Sequence, residues 1–137
     1  MSFPEYYVYE GNPSVLMETP DGGLDCQVLD ASTGEFERNV SYVGKIMFGT
    51  QADIREVTRE EFIQWVEKRR GERLQGEGPV FALYDMINAL EDQAKADGLH
   101  RPGTEERALI ATLRKRTFEM FEADLKALGG KGLPEGV

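Results

Sequence analysis

Residues 57–71, VTREEFIQWVEKRRG, decide the fold, because the hydrophobic period changes inside them. Thr58 and Glu61 stand at capping-box spacing, where each side chain satisfies the other's free backbone N–H. Val57 and Phe62 are placed as a hydrophobic staple across that start. Phe62, Ile63 and Val66 then recur with helical spacing as a buried stripe, with Trp65 at its edge. Lys68, Arg69 and Arg70 oppose the negative end of the helix dipole, and Gly71 is the expected stop. The run EKRRGER also has the composition of a phosphate or nucleic-acid patch. In a chain of net charge −9 it reads as dipole-matched, solubilising charge instead.

Before this helix the period is two. EYYVYEG (5–11) and PSVLMET (13–19) are rich in aromatic and branched residues and are separated by the turn signal Gly11-Asn12-Pro13. Asp21-Gly22 predicts a type I′ hairpin turn, which needs positive φ at both positions. In LDCQVLD (24–30), Leu24, Cys26 and Val28 alternate with polar neighbours, as in a half-buried strand. A second turn falls at Ser32-Thr33-Gly34. SYVGKIMFG (41–49) and DIREV (53–57) read as further extended segments. The first 57 residues thus predict an antiparallel meander of about three to five strands.

After it the period stays near 3.6. GERLQGEGP (71–79) is a polar, glycine-rich connector, and Pro79 suits a first helical position. Val80, Leu83, Tyr84, Ile87, Leu90 and Ala94 mark a helix that Gly98 ends. Thr104 is the expected N-cap of a last helix, roughly 105–128, carrying Leu109, Leu113, Met120, Phe121, Leu125 and Leu128. Ile110, Ala111 and Phe118 widen its apolar surface, which leaves a homodimer through residues 105–128 open alongside packing within the chain. Residues 129–137, GGKGLPEGV, read as a disordered tail. The expectation is one α+β domain over 1–128: a β-rich half (1–57), then a helical half (58–128) of three helices, the last two a hairpin.

Charge is unevenly divided. Residues 1–57 hold ten acidic side chains against three basic ones, a net −7, whereas residues 58–137 hold fifteen against thirteen, a net −2. A balance this acidic argues against general nucleic-acid binding, which draws its affinity from phosphate neutralisation. No apolar run approaches the roughly 20 residues of a membrane span, and the N-terminus lacks the pattern of a signal peptide. One cysteine allows no internal disulfide and fits a reducing compartment, so a cytoplasmic protein is expected.

The catalytic inventory is thin. Cys26 has acidic sequence neighbours, the opposite of what activates a thiolate, and reads as a small core residue. His100 is the only histidine, in a turn next to Arg101. Zinc sites built from His and Cys within one chain are therefore excluded. Asp21, Asp25 and Asp30 lack EF-hand spacing, and neither phosphate-cradling glycine motif occurs. No catalytic residue, metal ligand or cofactor is expected. Glu119, Glu122 and Asp124, or Glu60, Glu61 and Glu67, are the carboxylates from which a dispersed Asp/Glu or Mg²⁺ site would be built. Arg116 and Lys126 give Glu119 and Glu122 simpler helical ion-pair partners.

What remains is recognition. A small non-catalytic protein-binding protein is expected, of immunity, inhibitor or adaptor type, presenting an acidic β surface to a basic protein partner and neither nucleic acid nor membrane. Tyr7, Tyr9 and Phe36 are its expected aromatic anchors, with Asp25, Asp30, Glu35 and Glu37 as its charge. The alternatives are the carboxylate- or Mg²⁺-dependent enzyme and a self-assembling phage or secretion subunit.

Overall fold

The computed structural model describes residues 2–49 and 53–137. It is an α+β fold in which strands precede helices. Strands β1 (Glu5–Tyr9), β2 (Asn12–Glu18), β3 (Leu24–Leu29), β4 (Phe36–Arg38) and β5 (Ile54–Val57) form one antiparallel sheet in the order β4-β3-β2-β1-β5. Helix α1 (Ser41–Phe48) connects β4, at one edge, to β5, at the other. Helices α2 (Arg59–Arg73), α3 (Pro79–Ala96) and α4 (Thr104–Leu128) follow.

Among the described residues there are four helices where three were expected, because residues 41–48 are helical and not extended. Asn39 explains the start: its Oδ1 accepts from the Ser41 N–H (3.2 Å) and its carbonyl from the Tyr42 N–H (3.1 Å), which ends β4 and turns the chain. Tyr42, Val43 and Ile46 then stand at i, i+1 and i+4, one helical face, and pack with Leu16, Cys26 and Val28 of the sheet. Alternation and helical spacing are hard to separate in an apolar segment this short.

Turn chemistry differs too. The positive-φ pair is Glu10-Gly11 (48° and 82°), between the partnered Tyr9 and Asn12, and not Asp21-Gly22. At the latter only Gly22 is left-handed (86°), in a three-residue loop closed by Thr19 N–H to the Gly23 carbonyl (2.8 Å).

Both halves of the Thr58–Glu61 capping box are formed. α2 does not stop at Gly71 but runs on to Arg73. Gly71 lies where α3 crosses, close enough that a Cβ there would stand 3.4 Å from Tyr84, and its carbonyl accepts from Asn88. Before α4, Gly103 and not Thr104 is the cap residue, with no side-chain hydrogen bond.

Among the described residues, three apolar clusters hold these layers. On one sheet face Tyr6, Val15, Leu29 and Phe36 meet Phe62, Ile63 and Val66 of α2 and Phe118 of α4. On the other, Leu16, Cys26 and Val28 meet Ile46 of α1. Val80, Tyr84 and Ile87 join α3 to Ile110 of α4, away from the sheet. Residues 129–137, expected to be disordered, form neither helix nor strand but contact the rest of the chain. Gly129, left-handed at φ 72°, reverses the chain so that it runs back along β4, where the Phe36 N–H donates to the Lys131 carbonyl (2.7 Å).

Candidate functional site

Pairing across the strands sorts the charges of the sheet between its two faces, because directly opposed residues share a face. Glu5 opposes Leu16, Glu37 opposes Val28, Glu56 opposes Tyr7, and Glu18 lies two residues beyond Leu16. All four carboxylates therefore belong to the face that α1 covers. The two strand arginines go the other way. Arg38 opposes Gln27, and Arg55 opposes Val8 with its guanidinium 5.4 Å from the Trp65 ring of α2. Lys45 of α1, over the Tyr42 ring at 4.9 Å, is the basic side chain that the β4–α1–β5 connection adds.

α1 is amphipathic, with Ser41, Gly44 and Lys45 on its outward side beside Phe48. Ile46 is buried and Tyr42 and Val43 half-buried, which leaves Val40, just before the helix, with Met47 and Phe48 on the outside. Phe48 is 80% exposed. The α1 face thus combines an outward apolar group with Glu5, Glu18 and Glu56. Tyr7 records the local field: its hydroxyl donates to Glu5 (3.1 Å), and burial, then Glu5 and Glu56, push its pKa up to about 12.

The residues expected to form the partner surface are not gathered into one patch. Tyr7 and Tyr9 lie half-buried beneath α1, with the Tyr9 ring 5.2 Å from that of Tyr42. Glu37 shares their face, and the Lys131 ammonium takes it at 3.0 Å. Asp25 is on the opposite face, its Oδ2 2.6 Å from Arg38 Nε and its Oδ1 accepting from the Cys26 N–H. Asp30 caps its own turn through the Ser32 hydroxyl and N–H, contacts that hold its carboxyl below the ordinary range. Glu35 accepts from the Lys131 N–H (2.9 Å). Phe36 is a core residue, 1% exposed and stacked on Phe62, so it is no surface anchor. Val40, Met47 and Phe48 were missed because their segment reads as a strand, although its apolar residues were visible.

A second constellation lies inside the helical layer. Arg70, expected on the surface, is fully buried, as is Glu67. The guanidinium donates to Glu67 Oε2 (3.0 Å), to Glu122 Oε2 (2.7 Å) and twice to the Gly34 carbonyl (3.0 and 2.7 Å), and lies 4.1 Å from the Phe121 ring centroid. Tyr84 donates to Glu67 Oε1 (2.7 Å), and Glu122 Oε1 accepts from the Leu133 N–H (2.6 Å). Glu122 therefore pairs with Arg70 and not with Lys126, which meets Glu135 instead. The network ties α2, α3, α4, the β3–β4 turn and the tail together. Gly34 is needed there twice over: its φ is +76°, and a Cβ would stand 2.6 Å from Phe121.

Burial raises the Glu67 carboxyl above its ordinary range against the opposing Arg70 charge, and it raises Tyr84 as well. Two carboxylates do converge here, as a dispersed Asp/Glu site would require, but they converge on Arg70. A groove of about 650 Å³ between β3–β4, α4 and the tail reaches Glu122 and not Glu67. Burial also raises Cys26 to about 12, in keeping with a core thiol. Among the described residues, no three His, Cys, Asp or Glu side chains are placed to share a metal ion, and no helix is long and apolar enough to cross a membrane. No protein-family model, curated protein or solved structure matches this chain.

Proposed function

We propose that this chain is a non-catalytic protein-binding protein, of inhibitor or adaptor type, whose α1 face docks on a basic protein surface that carries an apolar recess. The observation that carries this reading is the placement of Glu5, Glu18 and Glu56 on the face from which Phe48 projects. The carboxylates supply a field that steers a basic partner and rejects an acidic one, a second copy of this chain included. Phe48 supplies what charge does not. A buried aromatic ring is worth about 1.5–3 kcal/mol of transfer free energy and makes a natural centre for an interface.

The last helix gives less support to self-assembly. Its exposed large apolar side chains are Leu109 and Leu128, nineteen residues apart and so separated by about 28 Å along the axis. That is not a continuous stripe. The dispersed-carboxylate enzyme finds its converging acids in a network closed around Arg70.

The test is affinity capture from native lysate at low and then raised salt with three chains: unaltered, Phe48→Ser, and Glu5→Gln/Glu18→Gln/Glu56→Gln. A stoichiometric basic partner that raised salt releases, and that both variants fail to hold, supports the reading. A partner indifferent to both variants, or no partner, overturns it.

A further inference from the structure

The carboxylates at the β4 edge already hold a basic segment, and that segment is the chain's own tail. Lys131 donates its N–H to Glu35 (2.9 Å) and its ammonium to Glu37 (3.0 Å), while Leu133 donates its N–H to Glu122 (2.6 Å). In return the Phe36 N–H, which points away from β3 at the sheet edge, reaches the Lys131 carbonyl (2.7 Å). This single main-chain bond at an exposed edge, with side chains read on either side, uses the donor through which strand addition recognises extended peptides. The seat is close-fitting around the ends of side chains. A Cβ at residue 130 would stand 2.7 Å from Glu35 and 2.9 Å from Leu125, and one at residue 132 would stand 3.0 Å from Glu122. Leu133 packs against the cluster containing Phe36 and Phe62. The cradle thus fits small-basic-small-apolar, the pattern of Gly130-Lys131-Gly132-Leu133.

The charge pairs that hold the tail are weak ones. These pairs, Lys131–Glu37 and Lys126–Glu135, are solvent-exposed, a class of contact that contributes little and that salt screens. β4 is three residues long, and Leu133 and Val137 are only half-buried. The sheet core beneath is closed, with Val15 and Leu16 fully buried.

We infer that the cradle formed by Glu35, Glu37, Glu122 and the Phe36 N–H is a binding site for an extended segment of another protein with a small-basic-small-apolar pattern, and that residues 130–133 are its intramolecular competitor. The site lies at the β4 edge and shares only Glu37 with the α1 face, so either can fail without the other. A tethered competitor acts at an effective concentration of roughly millimolar, so a free segment gains access when the tail is released.

The probe is a labelled synthetic peptide of residues 129–137, titrated into the 137-residue chain and into its variant Lys131→Ala/Leu133→Ser, whose tail lacks both side-chain anchors. The variant is expected to bind one peptide at least about tenfold more tightly than the unaltered chain. A control peptide with Glu in place of the lysine is expected not to bind. Equal binding by both chains, no binding by a folded variant, or dimers formed by exchange of tails between copies overturns the inference. Hydrogen exchange on the unaltered chain tests it without any substitution. The Phe36 amide is expected to exchange through a local opening that salt accelerates, well before the amides of Val15 and Leu16. Protection of Phe36 equal to theirs also overturns it.

Discussion

Arg70 is a guanidinium with no exposure at all, and Phe48 is an aromatic ring with 80% of its surface in water, on opposite sides of the same sheet. Each inverts the usual placement of its residue type, and the surroundings say why. Around Arg70 every partner is supplied within the chain: two carboxylates, a carbonyl held by a glycine turn, and an aromatic face. A buried charge persists only under such complete satisfaction, and it then fixes the mutual placement of the elements that contribute. Around Phe48 the chain offers little cover and places carboxylates on the same sheet face. Full internal satisfaction marks structure. Among the described residues Phe48 has no such internal partners, and the proposed docking surface is built on that difference.

The largest effect should come from breaking the satisfied side. Arg70→Met leaves Glu67, Glu122 and the Gly34 carbonyl without their common donor, and a loss of about 3–5 kcal/mol is expected from denaturant midpoints. A loss below 1 kcal/mol would mean that the network is incidental. Gly34→Ala attacks the same centre through the backbone, combining a positive φ with contact against Phe121 and Leu74. It should cost about 1–3 kcal/mol, in the same assay.

Acidity probes the network more finely. Burial raises the Glu67 carboxyl above its ordinary value of 4.5, so the native state holds that proton more tightly than the unfolded chain. Its contribution to stability is complete below pH 4.5 and is lost as pH rises through the raised native value. Glu67→Gln removes this titration. Measured by denaturation across a pH series, the difference between the two chains should therefore shift in favour of the variant as pH rises through that window, then level off. A difference constant with pH contradicts the assignment. Phe48→Ser is expected to have the smallest effect, changing stability by less than about 0.5 kcal/mol because the ring has little native packing to lose.

The same contrast explains what could be read in advance. α2 was legible at its start because Thr58 and Glu61 satisfy each other locally, and α3 because Pro79 and Gly98 punctuate a regular apolar period. The β-rich half before the helical half was legible from the change of period at Thr58. Arg70 was not, because a cation in the last turn of a helix looks the same whether it caps a dipole or enters a core. Its burial depends on Gly34, Glu122 and Phe121, which only the fold brings together. Nor was α1, whose eight apolar-rich residues suit a strand or a helix until Asn39 turns the chain. The candidate surface shifted with it. Tyr7, Tyr9 and Glu37 lie on the α1 face as half-buried or paired groups, while its exposed members came from a segment assigned to the sheet. Glu35 and Glu37 were expected to meet a basic partner, and the basic group they hold in this structure is Lys131 of the same chain.

The most direct test of the division between a structural interior and a proposed recognition face is salt-titrated partner capture by the unaltered chain and by Phe48→Ser, at matched stability. The unaltered chain is expected to hold one stoichiometric basic protein, released as salt rises, and Phe48→Ser is expected not to hold it. The same protein retained by Phe48→Ser, or no protein held by either chain, would contradict the division.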